Sequence, residues 1–114
     1  MAGVYVYRQH NLVGSAVLFL VTLDYKDFGS VATDTYLYGT MSPGEHTIKV
    51  GGGIPLSVAS IKLNAEAGKL YFFKVSPGWS QIKIEPVDEK NGREDLGKLR
   101  LSGDNAFEFL DKTQ

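Results

Sequence analysis

Two related stretches decide the fold: SPGEHTIKV at Ser42–Val50 and EAGKLYFFKV at Glu66–Val75. Each stretch places a glycine just before an alternating segment that ends in Lys-Val. Glycine at that position supplies a turn residue with positive φ, and the alternation has the two-residue period of a half-buried strand. The repeated phrase therefore predicts short strands joined by tight turns.

The same alternation extends through most of the chain. It predicts eight strands, at residues 3–8, 16–24, 28–32, 34–40, 45–50, 56–63, 70–75 and 79–87. After Asp88 the period changes, and the spacing of Leu96 and Leu99 favours a short helix weakened by Gly92 and Gly97. We therefore expect one domain over residues 1–114, an all-β, seven-to-eight-stranded antiparallel β-sandwich with a helical or irregular segment from about residue 89.

Composition narrows the classes of function. The 114 residues include twelve basic and thirteen acidic side chains and no basic run, so nucleic acid is not expected as a ligand. The absence of cysteine removes disulfides, thiolate catalysis and cysteine-ligated zinc. The apolar run AVLFLV at residues 16–21 is too short to cross a bilayer, which needs about twenty residues.

Residues with catalytic or metal-binding chemistry form no recognisable constellation. His10 and His46 are far apart and lack metal-ligand spacing, so His46 is expected to pack at the start of a strand. The glycines at Gly51–Gly53 precede a new strand and not the helix that a phosphate loop needs. Asp24 and Asp27 lie in a predicted hairpin turn, where aspartates usually bind backbone amides. We therefore expect no enzymatic activity, no cofactor and no metal site.

Paired tyrosines are the candidate recognition surface. Tyr5 and Tyr7 are two residues apart, as are Tyr36 and Tyr38, so each pair lies on one face of its strand. If the valines of the first strand face the core, its tyrosines form an outer stripe. A tyrosine ring with its hydroxyl suits sugars and protein partners. Packing at the rim of the core is the commoner role of such residues and stays the alternative.

The second predicted strand is apolar on both faces, which must both be covered. One face carries Val17, Phe19, Val21 and Leu23, and the other carries Leu18 and Leu20. Cover for the second face would come from the Leu96/Leu99 helix, from the Phe107/Phe109 tail, or from a homodimer contact. Cover from within the chain is the simpler arrangement, so we expect a monomer or a weak homodimer.

The motifs together resemble those of the bacterial family called Domain of Unknown Function 2846. The shared phrases are VYVYR, LVGSAV, LDYKDFG, TYLYGTMSPGEHTIKV, AGKLYFFKV and PVDEKNGREDLGKLRL, which together cover residues 3–101. The resemblance implies a prealbumin-like or immunoglobulin-like sandwich in the bacterial cell envelope or periplasm, commonly behind a lipoprotein signal. This sequence has neither that signal nor a lipidated cysteine, so membrane attachment is expected only through an anchor outside it. The resemblance implies no catalytic residue.

These observations favour a non-enzymatic envelope domain that binds or scaffolds a protein through a sheet face or an edge strand. Pro86 and the short third strand are expected to protect sheet edges against unwanted pairing. The alternative is a small carbohydrate-binding module that uses the same tyrosines, with Trp79 at a turn.

Overall fold

The computed structural model of the chain describes residues 1–9, 18–52, 57–77 and 81–101. Within these ranges the chain forms nine strands and one helix. In chain order they are β1 (Ala2–Arg8), β2 (Phe19–Leu23), β3 (Lys26–Val31), β4 (Thr35–Met41), β5 (Gly44–Gly52), β6 (Ser57–Ala65), β7 (Leu70–Ser76), β8 (Lys83–Val87), α1 (Glu89–Leu96) and β9 (Arg100–Leu101).

The strands form two sheets that pack against each other. Sheet A has the order β8-β7-β1-β4-β9, and sheet B has the order β3-β2-β5-β6. Alternate apolar residues of both sheets meet between them, among them Val4 and Val6 from sheet A and Val21 and Val50 from sheet B. The predicted all-β sandwich with a short C-terminal helix is confirmed, and the described residues form nine strands where seven to eight were expected.

Two strand pairs of sheet A are parallel, whereas the sequence predicted antiparallel pairing. β1 runs parallel to β7, with Gly3 opposite Leu70 and Tyr7 opposite Lys74. β9 runs parallel to β4. Parallel neighbours require a long crossover, and sheet B supplies part of the crossover between β1 and β7. β1 thereby becomes the central strand of sheet A, between β4 and β7.

The predicted glycine turns are confirmed. Gly44 has a φ of 119° at the start of β5, and Gly68 has a φ of 81° just before β7. A turn between β2 and β3 was predicted as well, and it lies one residue earlier than expected. Its two central residues are Asp24 and Tyr25, with φ values of 52° and 67°, the backbone geometry that suits a two-residue hairpin turn.

Several predictions fall on residues outside the described ranges. They concern His10, Trp79, the third residue of the glycine run and the Phe107/Phe109 tail, together with the predicted starts of the second, sixth and eighth strands. Where these strands are described, they begin at Phe19, Ser57 and Lys83.

The helix α1 begins at the N-cap Asp88, whose Oδ1 accepts the Asn91 amide hydrogen at 2.9 Å. Its glycine at position 92 is buried against the ring of Phe72 on the outer face of β7. A Cβ added to Gly92 would lie 2.5 Å from that ring, so only glycine allows this close approach. The sequence marked Gly92 as a weakness of the helix, yet this residue allows α1 to dock on sheet A.

Replacing Gly92 by alanine tests the docking of α1. Alanine is the better helix former, but its methyl group would overlap the Phe72 ring, and overpacking costs about 1–3 kcal/mol. We expect Gly92→Ala to lower the free energy of unfolding, measured by chemical denaturation. The matched control is Gly97→Ala at the exposed helix end, where the added Cβ has no neighbour closer than 3.4 Å. A Gly92→Ala protein as stable as the control would contradict the close contact.

Candidate functional site

The outer face of sheet A brings the four predicted tyrosines together. Because Val4 and Val6 point into the core, Tyr5 and Tyr7 point outward, as the sequence predicted. Tyr5 lies opposite Tyr38 and Tyr7 lies opposite Tyr36 in the antiparallel ladder between β1 and β4.

Tyr7 is not part of a recognition surface, which corrects the prediction. It is fully buried, and its hydroxyl donates a hydrogen bond to Oδ2 of Asp95 in α1 at 2.6 Å. Burial, followed by the hydrogen bond to Asp95, raises the pKa of Tyr7. The sequence predicted the outward direction of this side chain if the valines of β1 face the core, but not that the helix lies over it.

Tyr5, Tyr36 and Tyr38 are half-buried and form a tyrosine cluster on the same face. The ring of Tyr5 stacks on Phe72 with 4.9 Å between centroids, and it lies 4.7 Å from Tyr38 and 6.1 Å from Tyr36. Burial, and then the neighbouring hydroxyl of Tyr38, raises the pKa of Tyr5. Aromatic contacts of this kind stabilise a fold beyond the area they bury. Recognition by the tyrosine cluster stays a prediction.

The outer face of sheet B carries exposed apolar side chains. Leu18, Leu20 and Val58, which we call the apolar patch, are 54%, 62% and 57% exposed. Leu20 and Val58 lie on either side of Gly51, which is opposite both of them in the ladders of β5. The sequence predicted cover for Leu18 and Leu20 from within the chain. The helix does not supply it, because α1 packs on sheet A.

Aromatic and basic groups share that face with the apolar patch. Tyr25, at the turn between β2 and β3, is 69% exposed, and the Nζ of Lys49 lies 4.7 Å from the centroid of its ring. Lys62 is exposed on the neighbouring strand β6. Sequence reasoning missed Tyr25 and Val58. For Val58 a signal was present, since it alternates with the inward-facing Ala59 and Ile61.

A buried histidine fixes the turn that carries Tyr25. His46 packs at the start of β5, as predicted, and only 8% of it is exposed. Its Nδ1 lies 2.5 Å from Oδ2 of Asp24, and its Nε2 lies 2.6 Å from the carbonyl oxygen of Ser42. Oδ1 of Asp24 also accepts the Thr47 amide hydrogen at 2.9 Å. Asp24 therefore binds a backbone amide, as expected of an aspartate in a turn, and in addition it holds His46.

The charged forms of His46 and Asp24 are both favoured. Two acceptors face the two ring nitrogens of His46, and only the imidazolium can donate to both. The hydrogen bond to Asp24, followed by that to Ser42, raises the pKa of His46. The hydrogen bond from His46, followed by that from the Thr47 amide, lowers the pKa of Asp24. The pair is thus ionic between the lowered pKa of the carboxyl group and the raised pKa of the imidazole.

Stability should therefore depend on pH in two windows. The contribution of His46 is complete below about pH 6.5 and is lost as the pH rises through its raised pKa. The contribution of Asp24 is complete above about pH 4 and is lost as the pH falls through its lowered pKa. We expect Asp24→Asn to reduce the loss of stability between about pH 6 and pH 9, measured by urea unfolding. Equal losses in the variant and the wild type would show that this pair is not responsible.

The described residues hold no group of three His, Cys, Asp or Glu side chains that could bind a metal ion. They also contain no helix of the length and apolarity needed to span a membrane.

A shallow cleft lies near the end of α1, lined by Gln9, Asp34, Asp95, Lys98 and Leu99. Asp95 already holds the hydroxyl of Tyr7 there, and the cleft gathers no nucleophile with a base beside it.

Comparison with known proteins assigns this chain to a family. The family described as protein of unknown function (DUF2846) matches residues 1–86. The chain belongs to this family. A relative from Haemophilus influenzae, described as an uncharacterized protein, is 30% identical over 105 residues. The match covers 89% of this chain and 61% of the relative, so the chain spans less than two thirds of that protein. No solved structure is significantly similar to this one.

Proposed function

We propose that this DUF2846 domain is a non-enzymatic module of the bacterial cell envelope that binds a protein partner on the outer face of sheet B. The apolar patch supports this proposal. Leu18, Leu20 and Val58 are more than half exposed, while the opposite faces of their strands pack into the core. Adjacent exposed apolar side chains on one face are typical of interaction sites, whereas single exposed ones need no explanation.

The groups beside the apolar patch favour a particular kind of partner. Lys49 and Lys62 add positive charge, and Tyr25 adds an aromatic ring, a residue type enriched at protein interfaces. A complementary surface would present apolar side chains at its centre and carboxylates toward the lysines. Charge complementarity of this kind fixes orientation and speeds association.

The face is also pre-organised. Leu20 and Val58 extend from paired strands, and the His46–Asp24 pair ties the Tyr25 turn to β5. Side chains on a fixed backbone lose little freedom when a partner binds, so less of the interaction energy is spent on ordering. The arrangement suits a scaffolding or docking role and requires no chemical step.

The envelope location is supported by the family resemblance. Fractionation of the native bacterium, with an antibody against this domain, tests it directly. Recovery in the envelope or periplasmic fraction supports the proposal, and recovery with cytoplasmic markers contradicts it.

Binding through the apolar patch has its own test. A photo-crosslinking residue placed at Thr22, beside the patch on β2, identifies the contacting protein in the native cell, which is then purified. We expect Leu20→Ser with Val58→Ser to weaken binding of that protein at least about tenfold, because the two side chains supply apolar contact area. Both residues are exposed, so the fold should survive, as circular dichroism would show.

The matched control is Tyr36→Ala with Tyr38→Ala on the outer face of sheet A, which should leave the affinity for that protein unchanged. If the serine pair binds as well as the wild type, the partner does not use the apolar patch. If the tyrosine pair alone loses binding, the partner uses the tyrosine cluster instead.

Carbohydrate binding is the second candidate, and the half-exposed tyrosine cluster favours it. Rings of Tyr5, Tyr36 and Tyr38 lie side by side on one face, which is the kind of surface that stacks on sugars. If carbohydrate binding is correct, the wild type gives a specific signal on a glycan array, and Tyr36→Ala with Tyr38→Ala loses it while circular dichroism shows that the fold is kept. The absence of any glycan signal from the wild type removes this candidate.

A further inference from the structure

The four sheet edges differ in how they resist pairing with another strand. β3 carries the charged Lys26 and Asp27 and is disrupted by a register shift opposite Val21 and Thr22. β8 is short and contains Pro86, as the sequence predicted for an edge. β9 has only two residues. Charges, bulges, proline and short length are the features that prevent edge-to-edge pairing.

The remaining edge, β6, has almost none of these features. It has nine residues, from Ser57 to Ala65, with no proline and with Lys62 as its only charged residue. Its register against β5 is continuous over its whole length. In the described part of the chain β5 is the only strand that pairs with it. A long, regular edge of this kind is a template for another strand.

The inward-facing side of β6 is also incompletely covered. Ala59, Ile61 and Leu63 pack against the core but are only half-buried, whereas Ile48 and Val50 of the neighbouring β5 are buried. A further strand beside β6 would extend the sheet and cover these three side chains. Burial of apolar surface would then add to the hydrogen bonds of the ladder.

We propose that β6 pairs with β6 of a second copy of this chain in an antiparallel, two-fold symmetric dimer. The same strand on both partners is what a two-fold interface requires. Full overlap of a nine-residue strand with itself places Ser57 opposite the partner's Ala65, which puts Ile61 on the two-fold axis. Every inward-facing residue then lies opposite an inward-facing one, so the two cores become continuous.

Charge favours this register. With Ile61 on the axis, Lys62 lies opposite the partner's Ser60, so the lysines of the two copies do not face each other. Moving the axis to Lys62 would place two like charges directly opposite, which destabilises a strand pair. Ser60, which lies opposite the partner's Lys62 in this register, is exposed in the single chain.

The dimer goes beyond the proposed partner-binding face and rests on the backbone edge of β6, although Val58 and Lys62 of that face lie on the same strand. The pairing uses the edge of sheet B, while the apolar patch lies mainly over β2 and the start of β6. Substitutions at Ser60 leave Leu18, Leu20 and Val58 in place, so either proposal can fail while the other stands.

Two opposite charges at Ser60 test the dimer and its register together. Ser60→Glu would lie opposite the partner's Lys62 twice per dimer, and Ser60→Lys would create two like-charge contacts. We expect the dissociation constant of the dimer to fall about two- to tenfold with Ser60→Glu and to rise by a similar factor with Ser60→Lys. Sedimentation velocity of the full chain over a range of concentrations measures both changes.

Thr40→Glu and Thr40→Lys are the matched controls, because Thr40 is exposed on sheet A and these substitutions give the same changes in net charge. They should leave the dissociation constant unchanged. Raising the salt concentration should reduce the difference between the two Ser60 variants. In the same chain Lys49 of β5 lies opposite Ser60, so a charge at Ser60 also changes the stability of the single chain. Thermal unfolding of each variant is therefore measured separately.

Three results would overturn the proposal. One is a wild-type chain that stays monomeric at every concentration, as it would if another part of the chain covered β6. Another is a dimer whose dissociation constant responds in the same direction to both charges at Ser60. The third is a shift that the Thr40 controls reproduce, since net charge alone would then explain it.

Discussion

Burial of β1 on both faces is the constraint on which the rest of the structure depends. Val4 and Val6 on one face and Tyr7 on the other are all fully buried, so sheet A needs two covers. Sheet B provides the first, and α1 provides the second through the contacts at Gly92 and Asp95. Because α1 packs on sheet A, it does not cover Leu18, Leu20 and Val58 on the outer face of sheet B, which are more than half exposed.

Local patterns predicted the strands well, but they could not predict how the strands pair. Alternation has the same two-residue period in parallel and antiparallel strands, so the parallel pairing of β1 with β7 left no signal in either segment. Glycine turns were predictable because the positive φ at Gly44 and Gly68 is a local property. A short helix was predictable in this region, although Leu99 of the Leu96/Leu99 pair lies beyond its end, and the sheet that the helix covers was not predictable. That choice depends on a contact between Gly92 and Phe72, which lie on separate elements.

In the candidate sites, too, local patterns could not predict contacts between separate elements. The sequence placed each tyrosine pair on one face of its strand, but the pairing of β1 with β4 brings the two pairs together, and the burial of Tyr7 depends on α1. It placed His46 at a strand start, yet the pair with Asp24 follows from the neighbouring positions of β2 and β5. It also recognised Pro86 as an edge residue. The open edge at β6 could be identified only when the order of strands in sheet B was known, because an edge is a property of the whole sheet.

The central position of β1 in sheet A also determines when this sheet can form during synthesis of the chain. This strand is synthesised well before its neighbour β7, which begins at Leu70. Until then one side of the ladder of β1 and much of its tyrosine face have no native contact. The nascent chain therefore carries an incomplete apolar strand until β7 has been made, and such a segment is prone to misassociation or to capture by chaperones. Non-local pairing of this kind also makes folding slow compared with domains built from adjacent hairpins.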